Sequence, residues 1–182
     1  MGRLRRVKDR LRTDVATYER NATPCIACDT PGACCLDTHF VNVQISRLEA
    51  AAIAEVIEAL DPIRRAAVNE RIVETVAILH PNAERHSSTF ACPLYERGTG
   101  CLVHNEAKPV PCIVHACYGR RDDLPPDDLQ DAAELVVDKL NTTVYGRSLP
   151  HAALPIAVQA AVASRRRMKN AITRPARNQP AI

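Results

Sequence analysis

The chain carries eight cysteines, and they fall in two places. Four stand within CIACDTPGACC: Cys25, Cys28, Cys34 and Cys35, spaced C-x2-C-x5-C-C. The other four, Cys92, Cys101, Cys112 and Cys117, lie more than fifty residues downstream, spaced C-x8-C-x10-C-x4-C. A C-x2-C pair in a turn lets two sulfurs converge on one centre, which is why this spacing recurs at zinc and iron–sulfur sites. Pro24, Pro31 and Gly32 give the first run the turn chemistry needed to wrap a centre. Neighbouring side chains tend to point apart, so Cys34 and Cys35 are open to three readings: different iron atoms, different sites, or one of them spare. Buried reduced cysteines acting as small hydrophobes account for one or two thiols, not for eight.

At 182 residues the chain is sized for one domain. Its six aromatic residues include no Trp, so the core must be built from Ala, Val, Leu and Ile. A net charge of +3 does not by itself argue for nucleic acid. The positive charge gathers at the ends, in MGRLRRVKDRLR and SRRRMKNAITRPAR. Solvated termini are the favoured reading, with docking on an acidic partner or RNA as the other. No segment approaches the roughly 20 apolar residues of a membrane span. No apolar run follows the basic N-terminus or the Arg5–Arg6 pair, as a secretory signal requires. The expectation is a cytoplasmic protein, where thiols stay reduced and disulfides explain eight cysteines poorly. Metal is the default alternative.

Helical periodicity dominates the rest. A weak pattern covers residues 3 to 20. Ile45, Leu48, Ala52, Val56 and Leu60 share one helical face, and Ser46 with Glu49 has the form of a capping box at its start. Asp61 and Pro62 suit an N-cap and a first helical position. The helix they open should turn Ile72, Val73, Val76 and Leu79 inward and pair antiparallel with its predecessor. A further helix has Leu129, Ala133, Val136, Leu140 and Val144 on its inner face and Gly146 as terminator. Pro155 opens a last one to about Lys169. VNVQI, residues 41 to 45, is the sole strand candidate. Residues 81 to 126 show no period, and a loop that long calls for an organising centre. The expected fold is all-α, a small domain of about four to five helices with two long cysteine-rich loops organised by metal. Its expected parts are a basic N-terminal helix or arm (1–21), the cysteine-cluster domain (22–170) and a disordered polar tail (171–182).

CIACDTPGACC resembles the CxxCxxCC signature of the YkgJ-type cysteine-cluster family, described as zinc- or iron-chelating. The downstream family pattern, C-x-[IV]-Y-x-x-R-P-x-x-C, is matched in plan by CLVHNEAKPVPC through Cys101, Val103, Lys108–Pro109 and Cys112. The chain is similar to a divergent member: the gap from Cys28 to Cys34 is longer, His104 stands where Tyr is common, Lys108 replaces Arg, and Ile113 follows the last cysteine. The resemblance spans about residues 25 to 118 and implies a metal site without supplying a reaction. A flagellin lysine methylase with a similar motif carries an iron–sulfur cluster.

All eight cysteines are candidate ligands. His39, His104 and His115 are near enough in sequence to ligate, although support of the ligands or a surface position is favoured. His80 falls at a helix end, and His86 and His151 read as exposed. One structural zinc needs four ligands, usually at compact paired spacings, so eight cysteines in long irregular loops suit a [4Fe–4S] cluster, or two, better. The preferred function is an electron-transfer or redox- or oxygen-sensing module meeting a protein redox or assembly partner, with Lys108, Arg120 and Arg121 as a docking edge. The alternatives are a zinc-stapled interaction domain and an iron–sulfur enzyme or accessory subunit in protein modification. No nucleotide-binding or radical-SAM motif favours the enzyme. Asp122, Asp123, Asp127 and Asp128 read as a solvated loop at a helix N-terminus.

Overall fold

A computed structural model describes residues 1–38, 41–79 and 89–173, without the side chains of Ile26, Ile172 and Thr173. His39, His80 and His86, and most of the expected polar tail, lie outside these residues. The described chain is mostly helical. Helix α1 (Gly2–Glu19) leads into the first cysteine run through a short strand, β1 (Ala22–Thr23). The run itself forms a 3₁₀ turn (Cys25–Ala27) and the single-turn helix α2 (Ala33–Leu36). After β2 (Gln44–Ile45) come α3 (Arg47–Ala59) and α4 (Pro62–Leu79). The second cysteine segment holds β3 (Tyr95–Glu96), β4 (Gly100–Cys101), α5 (Val110–Val114) and β5 (Cys117–Tyr118). Helix α6 (Asp127–Tyr145), strand β6 (Ala152–Ala153) and helix α7 (Leu154–Thr173) complete the fold. None of the described helices is long and apolar enough to cross a membrane.

The punctuation acts locally as the residue types dictate. Ser46 accepts the Glu49 N–H at 3.2 Å while Glu49 Oε2 accepts the Ser46 N–H at 3.2 Å, the reciprocal pair of a capping box. Asp61 Oδ1 accepts the amides of Ile63 and Arg64 at 3.0 Å, and Pro62 opens α4. Gly146 ends α6 at φ +71°, in the left-handed region that only glycine enters freely. The VNVQI segment supplies the two residues of β2, which pair antiparallel with β6.

Two apolar clusters build the core. One gathers Ile53 and Ile57 of α3, Val68, Ile72 and Val76 of α4, and Leu154, Val158 and Val162 of α7. The other gathers Leu4, Leu11 and Val15 of α1, Val110 and Ile113 of α5, and Ala133 and Val137 of α6. Several expectations need correction here. Helices α3 and α4 both pack chiefly on α7, so the expected hairpin of α3 on α4 is not the main pairing. The N-terminal helix packs on α5 and α6. Val73 faces outward, since Val68, Ile72, Val76 and Leu79 define the buried stripe of α4. Val136 and Val144 are exposed as well, because α6 turns Ala133, Val137 and Asn141 inward. Asn141 is drawn in by a bond that hydropathy cannot register: its Oδ1 accepts the Leu48 N–H of α3 at 3.0 Å.

A buried ion pair joins the two clusters. Lys8 is 1% exposed and Glu49 2%, with Lys8 Nζ 3.2 Å from Glu49 Oε1. The same Oε1 accepts the first amide of α5, from Val110, at 3.0 Å. Burial lowers the Lys8 pKa and the Glu49 charge opposes that shift. Breaking a buried pair on one side leaves an uncompensated charge, so Lys8→Met is expected to cost about 3–5 kcal/mol. Urea unfolding checks this; a loss below about 1 kcal/mol would show that the pair is dispensable.

Candidate metal centre

Four contacts bring the two cysteine segments together. Strand β1 pairs antiparallel with β5, setting Thr23 opposite Cys117 and so placing Cys117 beside the chain that enters Cys25. The Cys92 N–H donates to the Cys35 carbonyl at 2.7 Å. The Tyr95 ring lies on the backbone of Gly32, where a Cβ would stand only 2.0 Å from Tyr95 Cζ. The Tyr95 side chain also lies near Cys25, which adds to the burial that raises the Tyr95 pKa. Gly32 has φ +80° and N-caps α2, so both the close approach and the backbone require glycine.

The second segment is held independently. Arg71 of α4 donates to the Pro93 carbonyl at 3.0 Å, and Arg64 pairs with Glu96 at 2.6 Å. Arg12 of α1 donates to the His104 carbonyl at 3.1 Å. Phe90, Leu94, Val103, Ala107, Val110 and Ile113 are all buried. The expectation that a metal centre alone would order this stretch is therefore corrected. Its apolar anchors are spaced too irregularly to show a helical or strand period, yet they reach the core.

All eight cysteines are free thiols. Burial first of all pushes the thiols of Cys92, Cys112 and Cys35 up to about 12. Their thiol neighbours add to that shift: Cys101 and Cys112 at Cys92, Cys101 and Cys35 at Cys112, Cys92 and Cys34 at Cys35. Opposing influences are already in place. Backbone hydrogen bonding from the Leu94 and Tyr95 stretch favours the Cys92 thiolate and that from Val103 the Cys101 thiolate, and the Lys108 charge favours those of Cys101 and Cys112. Cys117 is raised by burial and then by Cys34, Cys28 and Cys25. The Cys28 thiol stands 3.8 Å from the Thr30 hydroxyl, and Cys25 is exposed.

The gathered groups form an all-sulfur donor set, soft and partly shielded from water, which suits zinc or iron–sulfur chemistry. Among the described residues, no three Cys, His, Asp or Glu side chains converge closely enough to hold an ion as they stand. The donors suit a thiolate centre in kind and number, but not in their placement here. His104 and His115 are both exposed, and burial and then Lys108 lower the pKa of each. His151, expected to be exposed, is half-buried, with its Nε2 2.7 Å from Asp138 Oδ1. Of the expected docking edge, Arg120 and Arg121 are exposed, and Arg120 faces Asp122 at 3.6 Å. Sequence reasoning missed Tyr95, Lys8 and the backbone donors; only the Gly32 turn hinted that something must pack there. Compared with protein-family models, curated proteins and solved structures, the chain matches none.

Gly32→Ala should therefore separate the two segments. The expected cost is about 1–3 kcal/mol for overpacking, with strain at positive φ added. Iodoacetamide labelling read by mass spectrometry should show Cys35 and Cys92 reacting faster than in the parent chain. Unchanged labelling together with unchanged stability would mean that Tyr95 is not a clamp.

Proposed function

We infer that the chain is an iron–sulfur protein in which thiolates from both cysteine segments hold a cluster that serves as an electron-transfer or redox-sensing module. One observation carries this reading: two cysteine segments distant in sequence are joined by β1–β5 pairing and by the Cys92–Cys35 backbone bond. Backbone hydrogen bonding that favours the Cys92 and Cys101 thiolates adds support, because hydrogen bonds to ligating sulfurs stabilise thiolates and tune a cluster's potential. A bound cluster would supply reversible one-electron chemistry. The chain's own residues would shield it with the apolar anchors around Cys92 and offset its negative charge with Lys108 and Lys8. The exposed edge at Cys25, Arg120 and Arg121 is the side from which a protein partner could exchange electrons.

Iron and sulfide analysis of protein purified without oxygen tests the reading. The expected result is a brown sample, absorbing broadly near 400 nm and bleached by dithionite, with about four irons and four sulfides per cluster. Cys28→Ser should lower bound iron sharply, whereas His86→Ala should leave it unchanged. Colourless protein with stoichiometric zinc would replace the redox function by a structural one, since zinc has no redox chemistry.

A further inference from the structure

Helix α4 is apolar on two sides. Val68, Ile72, Val76 and Leu79 fill the core, as an amphipathic helix requires. The opposite side is exposed, yet mostly apolar as well. Ile63, Ala66, Glu70, Val73 and Ala77 recur there at steps of three and four residues, with Ile78 beside the last. Ile63 and Ile78 are 82% and 83% exposed, and Val73 is 55% exposed. Steps of three and four along one face are those of a seam between two helices. Apolar side chains scattered singly over a surface need no explanation, whereas a stripe along a whole 18-residue helix marks a contact.

The charges say which way a partner helix lies. Glu70 and Glu74, both exposed, occupy the middle and second half of this face. The start of the helix is basic instead. Arg64 keeps 41% of its side chain exposed beside Glu96. Arg65 donates to the Glu58 carbonyl at 3.2 Å, and the Glu58 carboxylate holds Lys169 of α7 at the same end. Exposed Arg166 and Arg167 belong to the same last turns of α7. A second copy of α4 laid parallel would set Glu70 beside Glu70 and Glu74 beside Glu74. Laid antiparallel, about a two-fold axis crossing near Arg71, it sets Ile63 of each copy by Ile78 of the other. The basic start of each helix then meets the acidic half of its counterpart.

We propose that the outer face of α4 is the interface of a homodimer, in which two copies pack α4 on α4 antiparallel. A two-fold contact uses the same patch on both copies, so association stops at two. Glu70 is the polar residue within the apolar seam, a feature that fixes alignment at some cost in stability. Arg64 and Arg71 anchor the Pro93–Glu96 stretch against α4, so the chain that follows Cys92 in each copy borders the contact. The dimer is independent of what the cysteines bind.

Equilibrium sedimentation of the full-length chain tests this between about 1 and 100 µM, under reductant and without oxygen so that thiols cannot link copies. A monomer–dimer equilibrium is expected in that range, because one helix face about 27 Å long makes a small interface. Ile63→Glu and Ile78→Glu each change a side chain that is exposed in the single chain. Each should weaken the dimer at least about tenfold while leaving the circular dichroism spectrum unchanged. Glu70→Leu, which completes the seam, should tighten the dimer, a gain that misfolding cannot mimic. Benzoylphenylalanine at position 78, in a mixture of isotope-labelled and unlabelled protein, should cross-link to the segment around Ile63 of the other copy. A parent that stays monomeric at the highest concentration overturns the proposal. So does a dimer that neither isoleucine variant loosens, or a cross-link formed only within one chain.

Discussion

The buried Lys8–Glu49 pair is the interaction on which the arrangement of the other parts depends. A carboxylate removed from water is tolerable only when its oxygens are fully engaged and a counter-charge is near. Glu49 meets both conditions. Oε2 takes the amide and the hydroxyl of Ser46 at 3.2 and 3.1 Å, and Oε1 takes the Val110 amide and the Lys8 ammonium at 3.0 and 3.2 Å. One side chain thereby fixes the start of α3, the start of α5 and the inner face of α1. Lys8 reaches further, toward the Ala107 carbonyl at 3.5 Å, closing the turn that precedes α5. An apolar pair of equal volume could fill this space, but it could not hold the first amide of α5 in one place.

That constraint passes directly to the thiols. Cys112 is the third residue of α5, so the orientation of its sulfur follows from the capping of Val110. Lys8 and Cys112 feel each other's charge, and Cys112 also feels Glu49. The buried pair thus positions Cys112 and sets part of the field around it. On the opposite side, α4 holds the Pro93–Glu96 stretch through Arg71 and Arg64. The second segment is suspended between two charged anchors and fastened by apolar residues between them. Its thiols are gathered by protein contacts, which leaves a metal to close the site rather than to build it.

How much of this was legible in the sequence depended on the range of the interaction. Local signals were readable: the Ser46–Glu49 box, Asp61–Pro62 and Gly146 each act on neighbours within a turn. On α6 the expected Ala133, Leu129 and Leu140 do meet the core, while Asn141, a polar residue, is inward for a bond to Leu48 far away in the chain. Val136 seemed to continue an apolar stripe, yet Val137 is the buried valine. The pairing of α3 and α4 with α7 was likewise invisible, since proximity in sequence favours a hairpin and the β2–β6 ladder brings α7 to α3 instead. Lys8 read as one more charge in a basic terminus. For the candidate site, the clustering of thiols was evident from their spacing, while the neighbours of each thiol depended on tertiary contacts.

The Cys34–Cys35 dipeptide shows why spacing could not go further. In sequence the two are equivalent, and either could join Cys25 and Cys28. What distinguishes them is the short helix α2, whose start requires the positive φ of Gly32 and whose position is set by the Tyr95 ring lying on that glycine. Tyr95 in turn follows Cys92 through a turn in which the Tyr95 amide bonds the Cys92 carbonyl at 3.2 Å. The same short stretch therefore places Cys92 and the ring that packs on Gly32. An aromatic residue that carries no metal-binding chemistry of its own thus helps to fix the first cysteine run.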